Sequence, residues 1–124
     1  MLQFKTDTGM VDNVICKFDL DEIHISGHLT QKNPGDYLRD FLFKAHNDVL
    51  AHGYKTVKIN ISKLRFLNSS GIKILVDWII QVSLLPPDKK YAICFVSDRS
   101  SLWQESIITT ISIIDPTNIS IIKV

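Results

Sequence analysis

Residues 64–72 read LRFLNSSGI, and this stretch joins a predicted strand to a predicted helix. Before it, residues 57–61 alternate between apolar and polar side chains, which predicts a strand covered on one face only. After it, the chain is apolar up to residue 85 except for a narrow polar stripe, which predicts a mostly buried helix that ends before two prolines. The polar residues Asn68, Ser69 and Ser70 therefore lie where a strand gives way to a helix.

The rest of the chain repeats this alternation of strands and helices. The other predicted elements are a hairpin over 14–20 and 23–28, a helix from 33–36 to Gly53, a strand over 91–96, a helix over 101–111 and a strand over 119–124. Asn33 is the predicted cap of the first helix, and Ser101 with Gln104 has the spacing of a capping box. The order β-β-α-β-α-β-α-β predicts an α/β fold, with a mixed four- to five-stranded sheet and helices packed mainly on one face. Residues 1–12 are predicted to be an extension, either loose or pairing at an edge, and 13–124 to be a single domain.

Composition excludes several classes of protein. Hydrophobic residues make up 45% of the chain, which is too many for a disordered protein. Fourteen basic residues against thirteen acidic ones, with no basic stripe, disfavour nucleic acid as a partner. Neither a signal peptide nor a membrane span is predicted. Cys16 and Cys94 fall in apolar strands and are expected to be buried thiols, so we expect a soluble, cytoplasmic protein.

The sequence contains no recognisable catalytic or metal-binding pattern. His24 and His28 are predicted on the outer face of a strand, in contact with solvent rather than with a metal ion. His46 and His52 lie near the end of the first helix, where a partly charged imidazole favours the helix dipole. Gly71 is the only glycine at a junction from strand to helix, so no phosphate-binding loop or nucleophile elbow is present. We therefore expect a protein that is not an enzyme and that uses neither a metal nor a cofactor.

Two interpretations of residues 68–71 remain open from the residues alone. In the first, Asn68 or Ser69 caps the helix and has no further role. In the second, a serine in the first turn accepts a phosphate, which the helix dipole stabilises and which brings almost two negative charges to an apolar surface. A partner bound to that surface would then be repelled without any unfolding.

Gly27-His28-Leu29, the strand at 57–61 and the stretch 64–72 together resemble the STAS domain family, which includes bacterial anti-sigma factor antagonists. In that family an apolar strand and a short link precede Asp-Ser-Ser/Thr-Gly-Leu-Gly at the start of a helix. The resemblance implies partner switching, in which a serine kinase that is also an anti-sigma factor binds and phosphorylates the antagonist. It implies Ser69 as the phosphoacceptor, Ser70 as the second choice, and Asn68 and Gly71 as the residues of the turn and cap.

Three positions depart from the family pattern. Asn68 replaces the acidic residue, which keeps a capping oxygen but removes a charge beside the acceptor serine. Lys73 replaces the second glycine, and it could pair either with a phosphate on Ser69 or with Asp77. Thr30 stands where many members of the family have an acidic residue in a loop that faces the partner.

These observations predict a non-enzymatic regulatory domain that docks through the flank of its second helix and the loops around Gly27–Asn33 and Asn68–Gly71. Four residues are predicted to contact the partner: His28, Thr30, Lys73 and Asp77. The expected partners are a serine kinase, an anti-sigma factor or a related regulator, and a PP2C-like phosphatase. Two alternatives remain, a constitutive scaffold or assembly module without phosphorylation and a sensor of a small ligand near Trp78 or Trp103. Whether the apolar flank of the second helix also forms a homodimer stays open.

Overall fold

The alternating segments form strands of one sheet, and the segments with helical periodicity pack against it. The computed structural model describes residues 2–7, 13–19, 22–29 and 38–124. The elements, in chain order, are β1 (Leu2–Asp7), β2 (Asn13–Asp19), β3 (Glu22–Leu29), α1 (Asp40–His52), β4 (Thr56–Asn60), β5 (Leu64–Leu67), α2 (Ser69–Ser83), β6 (Ala92–Ser97), α3 (Leu102–Ser112) and β7 (Ile119–Lys123).

The sheet is mixed, as predicted. Its strand order is β1-β2-β3-β4-β6-β7, and β5 pairs with β3 beyond the end of β4. The first three strands form an antiparallel meander, whereas β3, β4, β5, β6 and β7 are joined by parallel pairing. Because each parallel connection contains a helix, the α/β class follows from the order of elements. In β4 the side chains of Val57 and Ile59 are buried while those of Thr56 and Lys58 are exposed, so the helices cover one face.

Two of the seven strands were not among the predicted elements. β1 comes from the predicted N-terminal extension and pairs with β2 from Leu2↔Phe18 to Asp7↔Asn13, which is the edge-pairing alternative. β5 comes from the segment predicted as a link, and its four residues bury only the first and the last side chains. A strand this short, without alternating burial, has no period-two signal in the sequence. Its pairing with β3 depends on tertiary structure.

The two longer helices agree with the sequence patterns at most of their ends. α1 ends at Gly53, whose φ of 69° gives the predicted left-handed stop, and its N–H donates to Leu50 O. The predicted cap Asn33 lies outside the described residues. α2 begins after Asn68, as predicted, and ends at Ser83, two residues before the predicted end.

The capping box predicted at the start of α3 is wrong. Ser101 occupies the cap position without a hydrogen bond from its side chain to the helix, and its hydroxyl oxygen is buried without a hydrogen-bond partner. Gln104 does not reach back to the cap but is 1% exposed, inside the fold. Its Nε2 donates to Ile61 O and Leu64 O, each at 2.9 Å, and its Oε1 accepts from Asp98 N at 2.8 Å. These bonds to three backbone groups hold the side chain away from the helix terminus.

His46 also differs from its predicted role. Its imidazole is 8% exposed and does not interact with the helix terminus. Nδ1 lies 2.7 Å from the hydroxyl of Tyr91, and that hydroxyl also accepts from Trp78 Nε1 at 3.1 Å. Because indole N–H can only donate, the Tyr91 hydroxyl is best satisfied when its own proton points to a neutral His46. Burial lowers the pKa of His46 and raises that of Tyr91, so both groups are uncharged.

Candidate functional site

The end of β3 and the start of α2 lie at the same end of the sheet. β5 runs parallel to β3 with the register His28↔Phe66 and Leu29↔Leu67, so both strands end side by side. The register shifts after Gly27, whose φ of 102° is a conformation that favours glycine. This arrangement places His28 and the Asn68 turn, which the sequence connected only by resemblance, on neighbouring strands. Thr30 lies outside the described residues.

Asn68 is the cap of α2. Its backbone is extended, with φ −77° and ψ 173°, and its side-chain oxygen Oδ1 accepts from Gly71 N at 2.9 Å. Its carbonyl oxygen accepts from Ile72 N at 3.0 Å, which starts the helical hydrogen bonding. Of the two capping residues considered from the sequence, the structure therefore selects Asn68. Ser69 is left as the first residue of the helix rather than its cap.

Ser69 and Ser70 differ in exposure. Ser69 is exposed, whereas Ser70 is half-buried and the following Gly71 is buried. The first turn of α2 consists of Ser69, Ser70, Gly71 and Ile72, all uncharged, so the helix dipole there is not offset by a carboxylate within the turn. An exposed hydroxyl at such a terminus can accept a phosphate without desolvating it, and the dianion would be favoured there.

The exposed side of α2 continues from Ser69 in steps of three and four residues. We define the α2 stripe as Ser69, Lys73, Asp77, Ile80, Gln81 and Leu84. The carboxylate of Asp77 lies 3.5 Å from the guanidinium of Arg39, just before α1. The sequence offered Lys73 two partners, a phosphate on Ser69 or the carboxylate of Asp77. Asp77 pairs with Arg39 instead, and Lys73 is exposed one turn after Ser69. The Arg39–Asp77 pair is itself largely solvated and is worth at most about 1 kcal/mol.

A groove runs between α1 and α2 beside this stripe. It encloses a cavity of about 410 Å³. The lining residues are Arg39, Asp40, Leu42, Phe43, Ile74, Asp77, Trp78 and Gln81. Phe43 is 54% exposed and gives the groove an accessible apolar side chain. Sequence reasoning missed Arg39 and Phe43, since both fall outside the buried face of α1 and become neighbours of α2 only in the folded chain.

Two buried polar contacts hold the site in place. The three hydrogen bonds of Gln104 fix the turn that leads into β5, and β5 runs directly into Asn68. The hydrogen bond from Trp78 to Tyr91 ties the middle of α2 to the start of β6. Neither contact has a local sequence signal, because a buried glutamine and a core tyrosine cannot be distinguished in sequence from ordinary helix and strand residues.

The remaining sequence candidates do not come together as a second site. His24 and Glu22 lie 3.5 Å apart on β3, His28 is exposed, and His52 Nδ1 donates to Asp48 O at 2.8 Å. Within the described ranges, no three His, Cys, Asp or Glu side chains are grouped so as to hold a metal ion. Trp78 is 4% exposed and part of the core, although it forms the floor of the groove. Trp103 is half-buried beside a second open cavity near Arg65 and Asp98.

With this geometry described, the chain can be compared with known structures. It matches a chain in the crystal structure of the diguanylate cyclase SiaD in complex with its activator SiaC from Pseudomonas aeruginosa, at a TM-score of 0.67 and 17% identity, over 100% of both chains. It also matches SiaC of Pseudomonas aeruginosa, at a TM-score of 0.62 and 14% identity, again over 100% of both chains. An anti-sigma factor antagonist from Mycobacterium paratuberculosis matches at 0.54 and 17% identity, over 88% of this chain and 85% of that one.

The chain has a STAS-like fold. At these identities the comparison shows the fold and leaves the function of this chain to be argued from its own residues. No family profile and no curated protein matches the sequence. None of the helices in the described part of the chain is both long and apolar enough to cross a membrane.

Proposed function

We propose that this STAS-like domain is a non-enzymatic regulator that binds a partner protein through the α2 stripe and the adjoining groove. Phosphorylation of Ser69 controls that binding. The observation that carries the proposal is the position of Ser69: an exposed hydroxyl in the first turn of a helix whose cap is supplied by another residue, Asn68. Because the cap does not depend on Ser69, a phosphate can be added there without dismantling the helix terminus.

The electrostatics of the stripe explain how a phosphate would act. Lys73 lies one turn from Ser69 and is exposed, so it can pair with a phosphate at i, i+4. The added phosphate would change the net charge at the end of the stripe nearest β5 from positive to negative. A partner that buries this end would have to desolvate the dianion, which weakens docking. His28 at the end of the neighbouring strand belongs to the same surface.

The class of partner follows from the resemblance and from the structural relatives. The STAS resemblance favours a serine kinase that is also an anti-sigma factor, with a PP2C-like phosphatase that reverses the modification. SiaC, one of the matched structures, is named as the activator of a diguanylate cyclase, which supports a signalling enzyme as a second kind of partner. Either partner would bind through the α2 stripe.

The test is to incubate the protein with a candidate serine kinase and ATP, and to locate the phosphate by mass spectrometry. We expect modification at Ser69 and loss of modification in Ser69→Ala. Partner affinity is then compared between Ser69→Asp and Ser69→Ala, and we expect weaker binding only for Ser69→Asp. Thr109→Asp, which adds the same charge at an exposed position on α3, is the matched control. Absence of phosphate from both Ser69 and Ser70 would refute the switch.

A constitutive assembly module is the second candidate, and the groove favours it. Phe43 is exposed whether or not Ser69 carries a phosphate, and it offers a permanent apolar contact. In this case Phe43→Ala would weaken partner binding while Ser69→Asp would leave it unchanged. Under the switch proposal both variants weaken binding, so the pair of measurements separates the two functions.

A further inference from the structure

The last strand of the sheet has an open edge. β7 pairs with β6 and lies at the end of the strand order. Asn118 O accepts from Ile93 N and Val124 N donates to Ser97 O, both at 2.9 Å. Since the backbone groups of successive strand residues point to opposite sides, residues 118, 120, 122 and 124 face β6. The N–H and C=O groups of Ile119, Ile121 and Lys123 then point away from the sheet.

This edge lacks the features that usually protect an edge strand. The pairing of β6 with β7 runs without a shift from Ile93↔Ile119 to Ser97↔Lys123, so no bulge twists the strand away. The one lysine of β7 is engaged, because Lys123 Nζ lies 2.7 Å from Glu105 Oε1 on α3. Proline, the other usual protection, is also missing from the five residues of this described strand.

The surface around the edge is apolar and close to neutral. Residues 102–124 contain three charged side chains, Glu105, Asp115 and Lys123. Glu105 and Lys123 pair with each other, and Asp115 lies 2.7 Å from Lys90. Several large apolar side chains are nonetheless exposed: Leu102 at 78%, Ile113 at 74%, Ile121 at 37%, Ile122 at 45% and Val124 at 63%. One of the outward backbone groups, Lys123 O, accepts a long hydrogen bond from Arg99 Nη2 at 3.4 Å, which a new strand would replace. The outward groups of Ile119 and Ile121 can be satisfied by another extended strand.

We infer that the open edge of β7 is an interface at which two copies of this chain pair antiparallel about Ile121. A two-fold axis centred on Ile121 pairs all five residues of β7 with their counterparts, whereas an axis centred on Ser120 or Ile122 pairs only three of them with each other. Ile121 then exchanges both hydrogen bonds with its counterpart, and Ile119 of each copy lies opposite Lys123 of the other. Centring the axis on Lys123 would instead oppose two lysines, which is unfavourable.

Side-chain pairing in this register suits a second copy of the chain. On the helix-covered face Ile121 meets its own symmetry mate, and on the other face Ser120 lies opposite Ile122 in both directions. No like charges oppose each other, because the single lysine faces an isoleucine. Ile121 is exposed although α3 lies on its side of the sheet, so the helix leaves the edge accessible. The interface uses no residue of the α2 stripe, and it would leave both copies free to bind partners.

Sedimentation of the full chain over a wide range of concentration tests the inference. We expect a monomer–dimer equilibrium that Ile121→Lys shifts fully to monomer, since it places two lysines opposite each other. Ala51→Lys, which adds a lysine at an exposed site on α1 outside the stripe and the groove, is the matched control and should dimerise like the wild type. A monomer at every concentration, a dimer that survives Ile121→Lys, or an open-ended assembly would each overturn the inference.

Amide hydrogen exchange on the unmodified chain checks the register independently of any variant. Raising the concentration should slow exchange at Ile119, Ile121 and Lys123, whose amides point outward. Exchange at Ser120 and Ile122 should change little, because their amides already donate to β6. Equal slowing at all five amides, or slowing at none, would contradict pairing about Ile121.

Discussion

The starts of α2 and α3 have similar sequences but different structures. Each helix follows a strand and has a polar residue at its cap position, Asn68 before α2 and Ser101 before α3. At α2 the polar side chains serve the helix, since Asn68 caps it and Ser69 is exposed to solvent. At α3 they serve the core, since Gln104 turns inward and the Ser101 hydroxyl is buried without a partner. The comparison teaches that a side chain with the spacing of a capping box does not reach back to the cap where buried backbone groups bond it, as they bond Gln104.

Substitution of Gln104, whose side chain ties the start of α3 to the core, should give the largest loss of stability. Gln104→Leu keeps a side chain of similar size but removes its amide, so Leu64 O and Asp98 N lose their bonds to Gln104 and Ile61 O keeps only the one from Leu64 N. We expect the free energy of unfolding to fall by about 3 kcal/mol, measured by urea denaturation. Gln104→Glu is the informative companion, because it can still accept from Asp98 N but cannot donate to the two carbonyls. A loss below about 0.5 kcal/mol for Gln104→Leu would mean that Gln104 does not anchor the turn.

The buried contact of His46 on α1 with Tyr91 should respond to pH, whereas the contacts of Gln104, which does not titrate, should not. His46 has a folded-state pKa below its ordinary value of 6.5, because burial disfavours the charged imidazole. As pH falls through 6.5 the unfolded chain therefore binds a proton that the folded chain resists, and the free energy of unfolding decreases. Above that pH the imidazole is neutral in both the folded and the unfolded chain, so His46 adds nothing to the pH dependence of the free energy of unfolding.

Urea denaturation at several pH values between 7.5 and 5 checks this expectation. In His46→Gln, whose amide oxygen can still accept from Tyr91, we expect the slope in this window to become shallower. Asp98 titrates in a separate window: hydrogen bonds from Ser100 lower its pKa below 3.8, so its contribution is lost only at more acidic pH. A slope between pH 7.5 and 5 that is unchanged in His46→Gln would contradict the role of His46.

The cap of α2 should have an intermediate effect. Asn68→Ala removes the acceptor for Gly71 N, and we expect the free energy of unfolding to fall by about 1 kcal/mol. Asn68→Asp restores the residue of the family motif and keeps the acceptor, so it should be at least as stable as the wild type near neutral pH. These changes are measured by thermal or urea unfolding of the unphosphorylated protein. Equal stability of Asn68→Ala and the wild type would contradict the cap.

The cap position of α3 should have the smallest effect. Ser101→Ala removes a buried hydroxyl that has no hydrogen-bond partner, so we expect a change within about 0.5 kcal/mol, and stabilisation is the favoured direction. Measured beside Asn68→Ala, it tests the comparison of the two helix starts directly. A loss comparable to that of Asn68→Ala would show that Ser101 caps α3 after all.

Local patterns were sufficient for much of the fold and for part of the site. Apolar alternation predicted β4, the largely apolar segment 91–96 predicted β6, and the left-handed stop at Gly53 required only its place after a periodic segment. The start of α2 at Asn68 was also predictable, because capping depends on residues within one turn. β5 was not predictable, since a strand of four residues is defined by its partner β3 rather than by its own pattern.

The residues that sequence reasoning missed or misassigned make contacts over long separations in the chain. His46 is bound to Tyr91 forty-five residues later, and Gln104 to Ile61 forty-three residues earlier. A histidine near a helix terminus and a glutamine in a first turn both have common local roles, so their buried roles leave no local signal. The groove between Arg39 and Asp77 joins residues thirty-eight positions apart for the same reason.

The sequence by itself determined the alternation of strands and helices and the polar turn at 68–71, because periodicity and capping depend on neighbours a few residues away. Tertiary structure alone decided which polar side chains reach solvent and which satisfy the interior. In the folded chain Ser69 is exposed, Gln104 and His46 are buried, and the edge of the sheet at β7 is unpaired. The physical reason is that buried donors and acceptors must be paired, and the partners are supplied by whichever segments the fold brings together.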